Sequence, residues 1–447
     1  MGMVSKATRE RIRERIDLIQ LVSEYVALQP RGPDDFWGRC PFHEEKRPSF
    51  HVRPSKGMFK CFGCSKGGDV FRFVEEIEGI DFKEALKRCA QRANVPLDEV
   101  SPEERARDDK RAELMRALNQ TAEFFTDVLW SNTPAGAKGR ATLAARGVTE
   151  ATAKAWRLGM APEGWGALHQ AARERKISEQ ALLELGLLRK KEQGTSGRPY
   201  DFFRDRLMFP ICDDQGRVVA FGGRTLSDDE RKYMNSPEVA GIYEKRRVLY
   251  GLDKAKKAPK PTEGPRRLVV VEGYLDVVIP HQAGLNTFVA SLGTAFTLEQ
   301  AKLARRFFDE AVLLFDGDAA GQAATQRALA ALVGASDLTF KVARLPDGFD
   351  PDDLVRKDLP ALERCLAQAD DLVGFLVAET LRGWDAASPQ GRERAIKASV
   401  RLLARIESEL LQTTELNVVA HRFGIPEQLL RDEIIKAKRL EQTQATQ

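Results

Sequence analysis

The pattern of apolar and polar side chains predicts a central parallel sheet with helices on both sides of it in the chain. Between residues 114 and 129, apolar side chains recur at helical intervals, which predicts a helix. Three short continuous apolar runs follow, at residues 268–271, 311–315 and 340–345. Such runs are typical of buried parallel strands, and the Ala- and Leu-rich segment at 319–332 favours a helix between the second and third runs. Beyond residue 370 the pattern is helical throughout.

Composition narrows the class of protein. Hydrophobic residues make up 43% and charged residues 30%, which is typical of a soluble globular chain. The 70 Lys and Arg against 66 Asp and Glu give a net charge of +4, which excludes a histone-like polycation but leaves room for a local basic surface. No secretory signal begins the chain, and its longest uncharged stretch, 277–298, contains Pro280 and polar residues that suit a membrane span poorly. Six scattered or clustered cysteines do not form a disulfide framework, so we expect a cytoplasmic protein.

Two close pairs of metal-ligand residues lie in the first hundred positions. Two residues separate Cys40 from His43, and two separate Cys61 from Cys64. This spacing lets both members of a pair reach one ion across a turn, and four such ligands suit tetrahedral Zn²⁺. The residues between the pairs predict a hairpin around 54–57. We therefore predict a zinc ribbon with one structural zinc ion, in preference to two unrelated pairs.

Aromatic and basic residues alternate around the predicted zinc site. Aromatic rings can stack on bases while cations follow a phosphate backbone, so this composition favours single-stranded nucleic acid as a ligand. The alternative is that some rings form only the small core of the ribbon, which we expect for Phe50 and Phe62. The residues concerned are Phe36, Trp37, Phe42, Phe50, Phe59 and Phe62, with Arg39, Lys46, Arg47, Arg53, Lys56, Lys60 and Lys66.

Acidic residues follow each of the three predicted strands. They are Glu272 after the first run, Asp316 and Asp318 after the second, and Asp350 and Asp352 shortly after the third. In open α/β sheets the ligand crevice lies at the carboxyl ends of the parallel strands. Clustered carboxylates repel each other without a cation, and oxygen ligands at such an edge fit Mg²⁺ or Mn²⁺. One acidic pair could be a solvated turn, whereas three sets at strand ends favour a metal site.

The strand before Glu272, followed by the strand before Asp316 and Asp318, resembles the Toprim domain of bacterial primases, topoisomerases and some nucleases. With the zinc ribbon in front of it, the chain resembles the bacterial replicative primases of the DnaG type over nearly its whole length. Further similar segments occur in the family's order, at Arg146-Gly147, 204–211, 222–224, 232–238 and Lys245. The fold implied is multidomain, α+β and α/β, with an N-terminal zinc ribbon, a central RNA polymerase domain containing the Toprim parallel sheet, and a C-terminal helical subdomain.

This resemblance implies a DNA primase, a DNA-directed RNA polymerase that makes short RNA primers on single-stranded DNA for chromosome replication. The implied partners are the template strand, ribonucleoside triphosphates and the RNA–DNA hybrid product. Glu272 would be the catalytic carboxylate at the first of two or more Mg²⁺ or Mn²⁺ ions, Asp316 would bridge two ions and Asp318 would hold the second. Further acidic positions of the implied site are Asp276, Asp350 and Asp352. Its basic ridge, which handles template and incoming nucleotide, would comprise Arg146, Arg224, Lys232, Tyr233, Asn235 and Lys245.

These features suggest the domain boundaries. A charged segment at 101–111 and a proline-rich segment at 256–267 are the breaks in composition. We expect a zinc-binding domain at 1–105 with its ribbon at 40–64, the N-terminal part of the RNA polymerase domain at 110–260, the Toprim subdomain at 266–365 and the helical subdomain at 366–440. Members of the family usually continue into a domain that docks on the DnaB-type replicative helicase. Because the chain stops at Gln447, we expect that docking domain to be absent, and we expect a monomer acting at nucleoid-associated replication forks.

Two other kinds of function share some of these features. A topoisomerase or nuclease could use the same acidic sheet, but a topoisomerase also needs a nucleophilic tyrosine in a separate domain, and no Tyr occurs after residue 365. A non-catalytic single-stranded-DNA-binding protein could retain the scaffold alone, although Glu272, Asp316 and Asp318 argue against that. A fused P-loop helicase is excluded, because no Gly-Lys dipeptide is followed by Ser or Thr.

Overall fold

The computed structural model describes residues 4, 6–97, 102–190, 199–227, 232–293, 296–315, 338–346, 348–382, 388–406 and 409–445. The chain divides into two compact units, residues 1–110 and 111–447. Among the helices that the structure describes, none is long and apolar enough to cross a lipid bilayer.

An antiparallel sheet whose five strands are adjacent in sequence forms the centre of the first unit. Its strands are β1 (Gln29–Gly32), β2 (Asp35–Gly38), β3 (Phe50–Arg53), β4 (Met58–Cys61) and β5 (Gly67–Gly68), and its helices are α1 (Lys6–Arg15), α2 (Leu18–Ser23), α3 (Val70–Glu78) and α4 (Phe82–Arg92). The turn between β3 and β4 is a 3-10 helix at Pro54–Lys56 that ends on Gly57 with a φ of 58°, which confirms the predicted hairpin. Phe50 and Phe59 stack across this hairpin with ring centroids 5.3 Å apart, and Phe73 of α3 closes the core over them.

The N-terminal part of the second unit contains a four-stranded antiparallel sheet in the order β11-β10-β9-β6 and a separate pair, β7-β8. Its strands are β6 (Gly159–Ala161), β7 (Leu188–Arg189), β8 (Tyr200–Asp201), β9 (Arg206–Cys212), β10 (Val218–Thr225) and β11 (Tyr233–Asn235). Its helices are α5 (Pro102–Trp130, which begins before residue 111), α6 (Pro134–Ala145), α7 (Glu150–Ala155), α8 (Ala167–Glu174), α9 (Glu179–Glu184) and α10 (Leu252–Ala255), with a 3-10 helix at Lys245–Arg247. Helix α5 confirms the helix predicted around residues 114–129, and its Phe125 packs edge-on against Phe221 of β10 at 5.5 Å.

A second sheet, in the order β13-β12-β14-β15-β16, follows in the chain. Its elements are β12 (Arg267–Val271), α11 (Leu275–Gln282), β13 (Phe288–Ala290), α12 (Leu298–Arg305), β14 (Glu310–Phe315), β15 (Thr339–Arg344), α13 (Pro351–Lys357), α14 (Leu359–Ala367) and β16 (Asp370–Asp371). Strands β13, β12, β14 and β15 are parallel and β16 is antiparallel to β15, which confirms the predicted parallel sheet and its three apolar strands. The helix predicted at 319–332 lies outside the described residues.

Four helices complete the second unit: α15 (Leu372–Arg382), α16 (Pro389–Ala404), α17 (Glu409–Phe423) and α18 (Glu427–Ala445). Ser388 caps α16 by accepting a hydrogen bond from the backbone N–H of Gly391, with Pro389 in the first helical position. Leu372 and Leu403 share one apolar cluster with Leu313 and Val342 of the parallel sheet. The all-helical pattern predicted after residue 370 is thus confirmed but for the two-residue strand β16.

Candidate functional site

The four predicted zinc ligands converge in the first unit. Their ligand atoms all lie within 4.8 Å of one another. The Sγ atoms of Cys40 and Cys64 are 3.8 Å apart, as are the Sγ of Cys61 and the Nδ1 of His43. The edge of a tetrahedron with Zn–S bonds of about 2.3 Å is about 3.8 Å long, so the residues fit zinc. Backbone N–H groups of Phe42 and Cys64 donate to the Sγ atoms of Cys40 and Cys61, both at 3.4 Å. The chain therefore carries a structural zinc site.

One face of the ribbon's sheet carries a group of stacked rings. Trp37 lies against His51, with ring centroids 4.8 Å apart, and against Phe62, with centroids 5.8 Å apart. The guanidinium of Arg31 lies 4.7 Å from the Trp37 ring. Phe50 belongs to the core as expected, but the same expectation for Phe62 is wrong, because its side chain is 62% exposed. Phe62 lies in the turn after β4, where the alternation of buried and exposed strand positions has ended.

Four of the predicted acidic site residues are described, and they follow the carboxyl ends of two parallel strands. Glu272 directly follows β12 and is exposed, and Asp276 lies in the first turn of α11. Asp350 directly precedes α13 and Asp352 lies in its first turn, where it is 4% exposed. Strands β12, β14 and β15 are neighbours in one parallel sheet, so their ends share one edge. The predicted ligands Asp316 and Asp318, which come directly after β14, lie outside the described residues.

Charged side chains from separate segments of the chain influence the ionisation of Asp352. Burial raises the pKa of Asp352, and the nearby carboxylates of Asp353 and Asp350 raise it further. The guanidinium groups of Arg356 and Arg146 act in the opposite direction. The structure therefore brings the predicted residues Arg146, Asp350 and Asp352 into one charged cluster.

Tyr233 connects this cluster to the antiparallel sheet. Burial raises the pKa of its hydroxyl, while Arg224 and Arg146 lower it and Asp276 and Asp352 raise it. Tyr233 is the register partner of Arg224 on β10, whose guanidinium carbon lies 5.9 Å from the tyrosine ring. The Nε of Arg224 is buried and has no hydrogen-bond partner among the described residues. Tyr233 therefore lies near acidic side chains of α11 and α13, near Arg224 of β10 and near Arg146 at the end of α6.

The other predicted ridge residues occupy different positions. Lys232 precedes β11 and is exposed, and its carbonyl oxygen accepts a hydrogen bond from the backbone of Thr225. Lys245 is half-buried in the 3-10 helix. Its backbone N–H donates to Glu238 at 2.6 Å and its carbonyl accepts from Gln300 at 3.1 Å. These backbone contacts fix the position of Lys245 but do not join its side chain to the cluster.

The side chain of Tyr274, which the sequence did not single out, links the ridge to the turn that carries Glu272. Its hydroxyl donates to the Oδ1 of Asn235 at 2.5 Å, and the Nδ2 of Asn235 lies 3.4 Å from the carbonyl oxygen of Leu292. The Tyr274 ring stacks on Phe209 with centroids 4.8 Å apart. A Cβ on Gly222 would overlap the end of the Tyr274 ring. The glycine pair at 222 and 223 inside a strand is the one sequence signal for this close approach.

Arg356 beside the acidic residues was also missed, and Arg204 makes a contact that the sequence did not predict. Arg356 places its Nη2 3.3 Å from an oxygen of Asp352 and 2.7 Å from an oxygen of Asp353. Its spacing of four residues from Asp352 on α13 is the signal that could have found it. Arg204 lies 4.0 Å from the ring of Trp165, whose side chain is 60% exposed. The sequence around either residue does not predict the contact between Trp165 and Arg204, because the two residues come together only when the chain folds.

Four family models match successive parts of the chain. They are the CHC2 zinc finger at residues 4–105, the N-terminal domain of the DNA primase catalytic core at 124–256, a Toprim-like domain at 269–355 and the DnaB-helicase binding domain of primase at 373–428.

Similar proteins are described as DNA primases. That of Halalkalibacterium halodurans is 42% identical over 79% of this chain, and that of Deinococcus radiodurans is 41% identical over 87%. The chain spans 58% and 65% of the length of these two relatives. The DNA primase of Pasteurella multocida is 34% identical, over 97% of this chain and 74% of the relative.

The similar solved structures are also those of primases. The Aquifex aeolicus primase fragment with zinc-binding and RNA polymerase domains is 30% identical with a TM-score of 0.58, over 95% of this chain and 99% of that one. The E. coli primase catalytic core is 36% identical with a TM-score of 0.63, over 70% of this chain and 98% of that one. A DnaG primase catalytic domain bound to single-stranded DNA is 35% identical with a TM-score of 0.62, over 70% and 99% respectively.

One expectation from the sequence is overturned by these matches. We expected no helicase-docking domain, but residues 373–428 match the helicase-binding family model, so that expectation is wrong. The matched residues contain most of α15 and all of α16 and α17. A docking helix is defined by the shape and polarity of its surface and not by ligand or catalytic residues at a fixed spacing. The sequence of this region therefore indicated only that it is helical.

Proposed function

We propose that this chain, which belongs to the family of bacterial DnaG-type DNA primases, is a DNA-directed RNA polymerase that synthesises short RNA primers on single-stranded DNA. The observation that carries the proposal is the pairing of Arg224 with Tyr233 on adjacent strands, with Arg146, Asp276 and Asp352 near enough to act on the Tyr233 hydroxyl. A nucleoside triphosphate needs cationic groups for its phosphates and carboxylates for its metal ions, and this cluster offers both.

The acidic edge is the part of the site that would hold catalytic Mg²⁺ or Mn²⁺. We assign Glu272, Asp316 and Asp318 as principal ligands, and Asp276, Asp350 and Asp352 as further acidic positions. The described members fit a hard cation, because all are carboxylates and because Asp350 and the adjacent Asp353 disfavour the negative charge of Asp352. When bound, such ions stabilise negative charge on the attacking and leaving oxygens of the reaction.

The reaction joins the 3′-hydroxyl of the growing RNA to the next nucleotide. A bond forms between the 3′-oxygen and the α-phosphorus, and the 3′-hydroxyl releases its proton. The bond from the α-phosphorus to the bridging oxygen breaks, so that pyrophosphate leaves. Holding both reactants in line supplies a large part of the rate enhancement. We assign Arg146 and Arg224 to the triphosphate, since guanidinium groups form paired hydrogen bonds with phosphate oxygens. The Nε of Arg224 has no hydrogen-bond partner in the part of the chain that the structure describes, so it is a donor for this purpose.

The remaining ridge residues would guide the nucleic acid. Lys232 and Lys245 would contact backbone phosphates, and the partly exposed ring of Tyr233 would stack on a base or sugar. Asn235 would act at this site by holding Tyr274, and through it the turn that carries Glu272.

The first unit would bind unpaired template bases. Trp37 and the exposed Phe62 form a stacking platform, with Arg31 beside it to attract phosphates. The proposed domains are the zinc-binding domain at 1–105, the RNA polymerase domain at 110–260 and 266–365, and the helical subdomain at 366–440. The match at 373–428 supports a DnaB-type helicase as a partner, and with such a partner the proposed activity would take place at replication forks.

The test is incorporation of labelled ribonucleotides on single-stranded DNA with Mg²⁺ by the whole chain and by its Glu272→Gln variant. We expect labelled short RNA from the parent and at least about a 100-fold loss in the variant, because the substitution removes a charge from the reacting centre. Glu299→Gln is the matched control, since Glu299 is an exposed glutamate on α12, and we expect this variant to keep full activity. Tight DNA binding without RNA from the parent would instead support a non-catalytic DNA-binding protein.

A further inference from the structure

Glu45 lies beside the zinc ligands and contacts both halves of the site. One carboxylate oxygen accepts hydrogen bonds from the backbone N–H groups of Cys40 at 2.7 Å and Ser49 at 3.0 Å. The other oxygen accepts from the hydroxyl of Ser49 and lies 3.4 Å from the Nε2 of His43. The Glu45 side chain is only 10% exposed, so these contacts are shielded from water.

Ser49 carries the connection to the second pair of ligands. Its hydroxyl oxygen lies 3.3 Å from the Sγ of Cys61. Its carbonyl oxygen accepts a hydrogen bond from the backbone N–H of Phe62 at 2.9 Å, next to Cys61 in the chain. Through Ser49, a single carboxylate is therefore tied to the Cys40–His43 pair and to the Cys61–Cys64 pair.

His43 is oriented so that its two ring nitrogens face different partners. Nδ1 points toward the Sγ of Cys61 at 3.8 Å, whereas Nε2 faces Glu45. The ring packs closely on Gly63, where a Cβ would lie 2.6 Å from Nε2, so there is little room for the ring to turn over. A histidine that binds metal through one nitrogen commonly donates its other N–H to a carboxylate, which fixes both the tautomer and the ring orientation.

We propose that Glu45 is a positioning residue of the zinc site. It holds His43 with the proton on Nε2, so that the Nδ1 lone pair is free for zinc, and it ties the two ligand pairs together through Ser49. This inference concerns only the zinc site and does not depend on the proposed polymerase activity.

The substitution Glu45→Gln separates this role from a merely structural one. The amide oxygen of the glutamine can still accept hydrogen bonds from the backbone N–H groups of Cys40 and Ser49. The segment between these two residues therefore keeps its backbone hydrogen bonds. The amide NH₂ then faces Nε2 and favours a histidine with an unprotonated Nε2 and a proton on Nδ1, which is the tautomer that cannot bind zinc through Nδ1. Zinc affinity should fall by about 10- to 100-fold.

The experiment is competition for zinc between the whole chain and a coloured chelator, for the parent, Glu45→Gln and Glu44→Gln. Glu44 is the adjacent glutamate, which is exposed, and its substitution should leave zinc affinity unchanged. Equal affinity of Glu45→Gln and the parent would overturn the proposal. Long-range nitrogen–proton NMR of His43 in the zinc-loaded parent is the second readout, which does not depend on a variant that folds. A metal-bound Nδ1 with a protonated Nε2 supports the proposal, and a metal-bound Nε2 overturns it.

Discussion

Tyr274 joins two sheets of the second unit through a single side chain. Its hydroxyl reaches Asn235 on β11, and its backbone lies two residues after Glu272. The neighbouring Tyr250 packs edge-on against it at 4.8 Å, but its buried hydroxyl has no partner among the described residues. These two tyrosines therefore share surroundings and differ in whether the hydroxyl is bonded.

Tyr274→Phe should lower ribonucleotide incorporation by about 3- to 10-fold, which corresponds to one net hydrogen bond. The turn that carries Glu272 would lose its connection to Asn235, so the loss should appear in kcat, measured at saturating ribonucleotide. Tyr250→Phe is the control, and it should leave activity unchanged because it removes a hydroxyl that has no hydrogen-bond partner in the described segments. Equal activity of both variants and the parent would show that the hydrogen bond does not position the site.

Single residues also mark the limit of prediction from the sequence. The zinc ligands were predictable because Cys40 with His43 and Cys61 with Cys64 recur at a spacing that the metal itself requires. Phe62 was misassigned because it lies in a turn, where no period separates core from surface. Tyr274 was missed because its partner Asn235 is 39 residues away in the chain.

At the scale of elements, the strand β10 shows how backbone and site depend on each other. Gly222 and Gly223 are buried in the middle of β10, although glycine inside a strand generally weakens it. The missing side chain at Gly222 makes room for the Tyr274 ring, so the antiparallel sheet can approach the turn after β12. Apolar runs predicted strands β12, β14 and β15, and β13 lies within the uncharged stretch at 277–298.

Gly222→Ala should lower the free energy of unfolding by about 1–3 kcal/mol, because the added methyl group overlaps the end of the Tyr274 ring. Urea denaturation followed by fluorescence measures this change. Gly164→Ala is the matched control, since a Cβ at Gly164 would have no atom within 4 Å, and it should leave the unfolding midpoint in place. A midpoint for Gly222→Ala equal to that of the control would mean that β10 and the Tyr274 ring can move apart without loss of stability.

At the scale of the whole molecule, the two units have separate apolar cores. The core of the first unit is formed by residues between Ile12 and Val95, and the cores of the second unit begin at Leu114. The composition and the pattern of apolar residues along the sequence predicted the order of zinc ribbon, parallel sheet and helices. It could not identify the helicase-binding match at 373–428, because helical periodicity is the same in a docking domain and in any other bundle.

The central claim is that the second unit joins ribonucleotides under the direction of a DNA template, and sequencing the product tests this most directly. The whole chain would be incubated with single-stranded DNA of defined sequence, all four ribonucleotides and Mg²⁺, and the RNA recovered and sequenced. We predict short RNA complementary to the template and none when the DNA is omitted. RNA whose sequence is unrelated to the template, or no RNA on any template despite DNA binding, would contradict the claim.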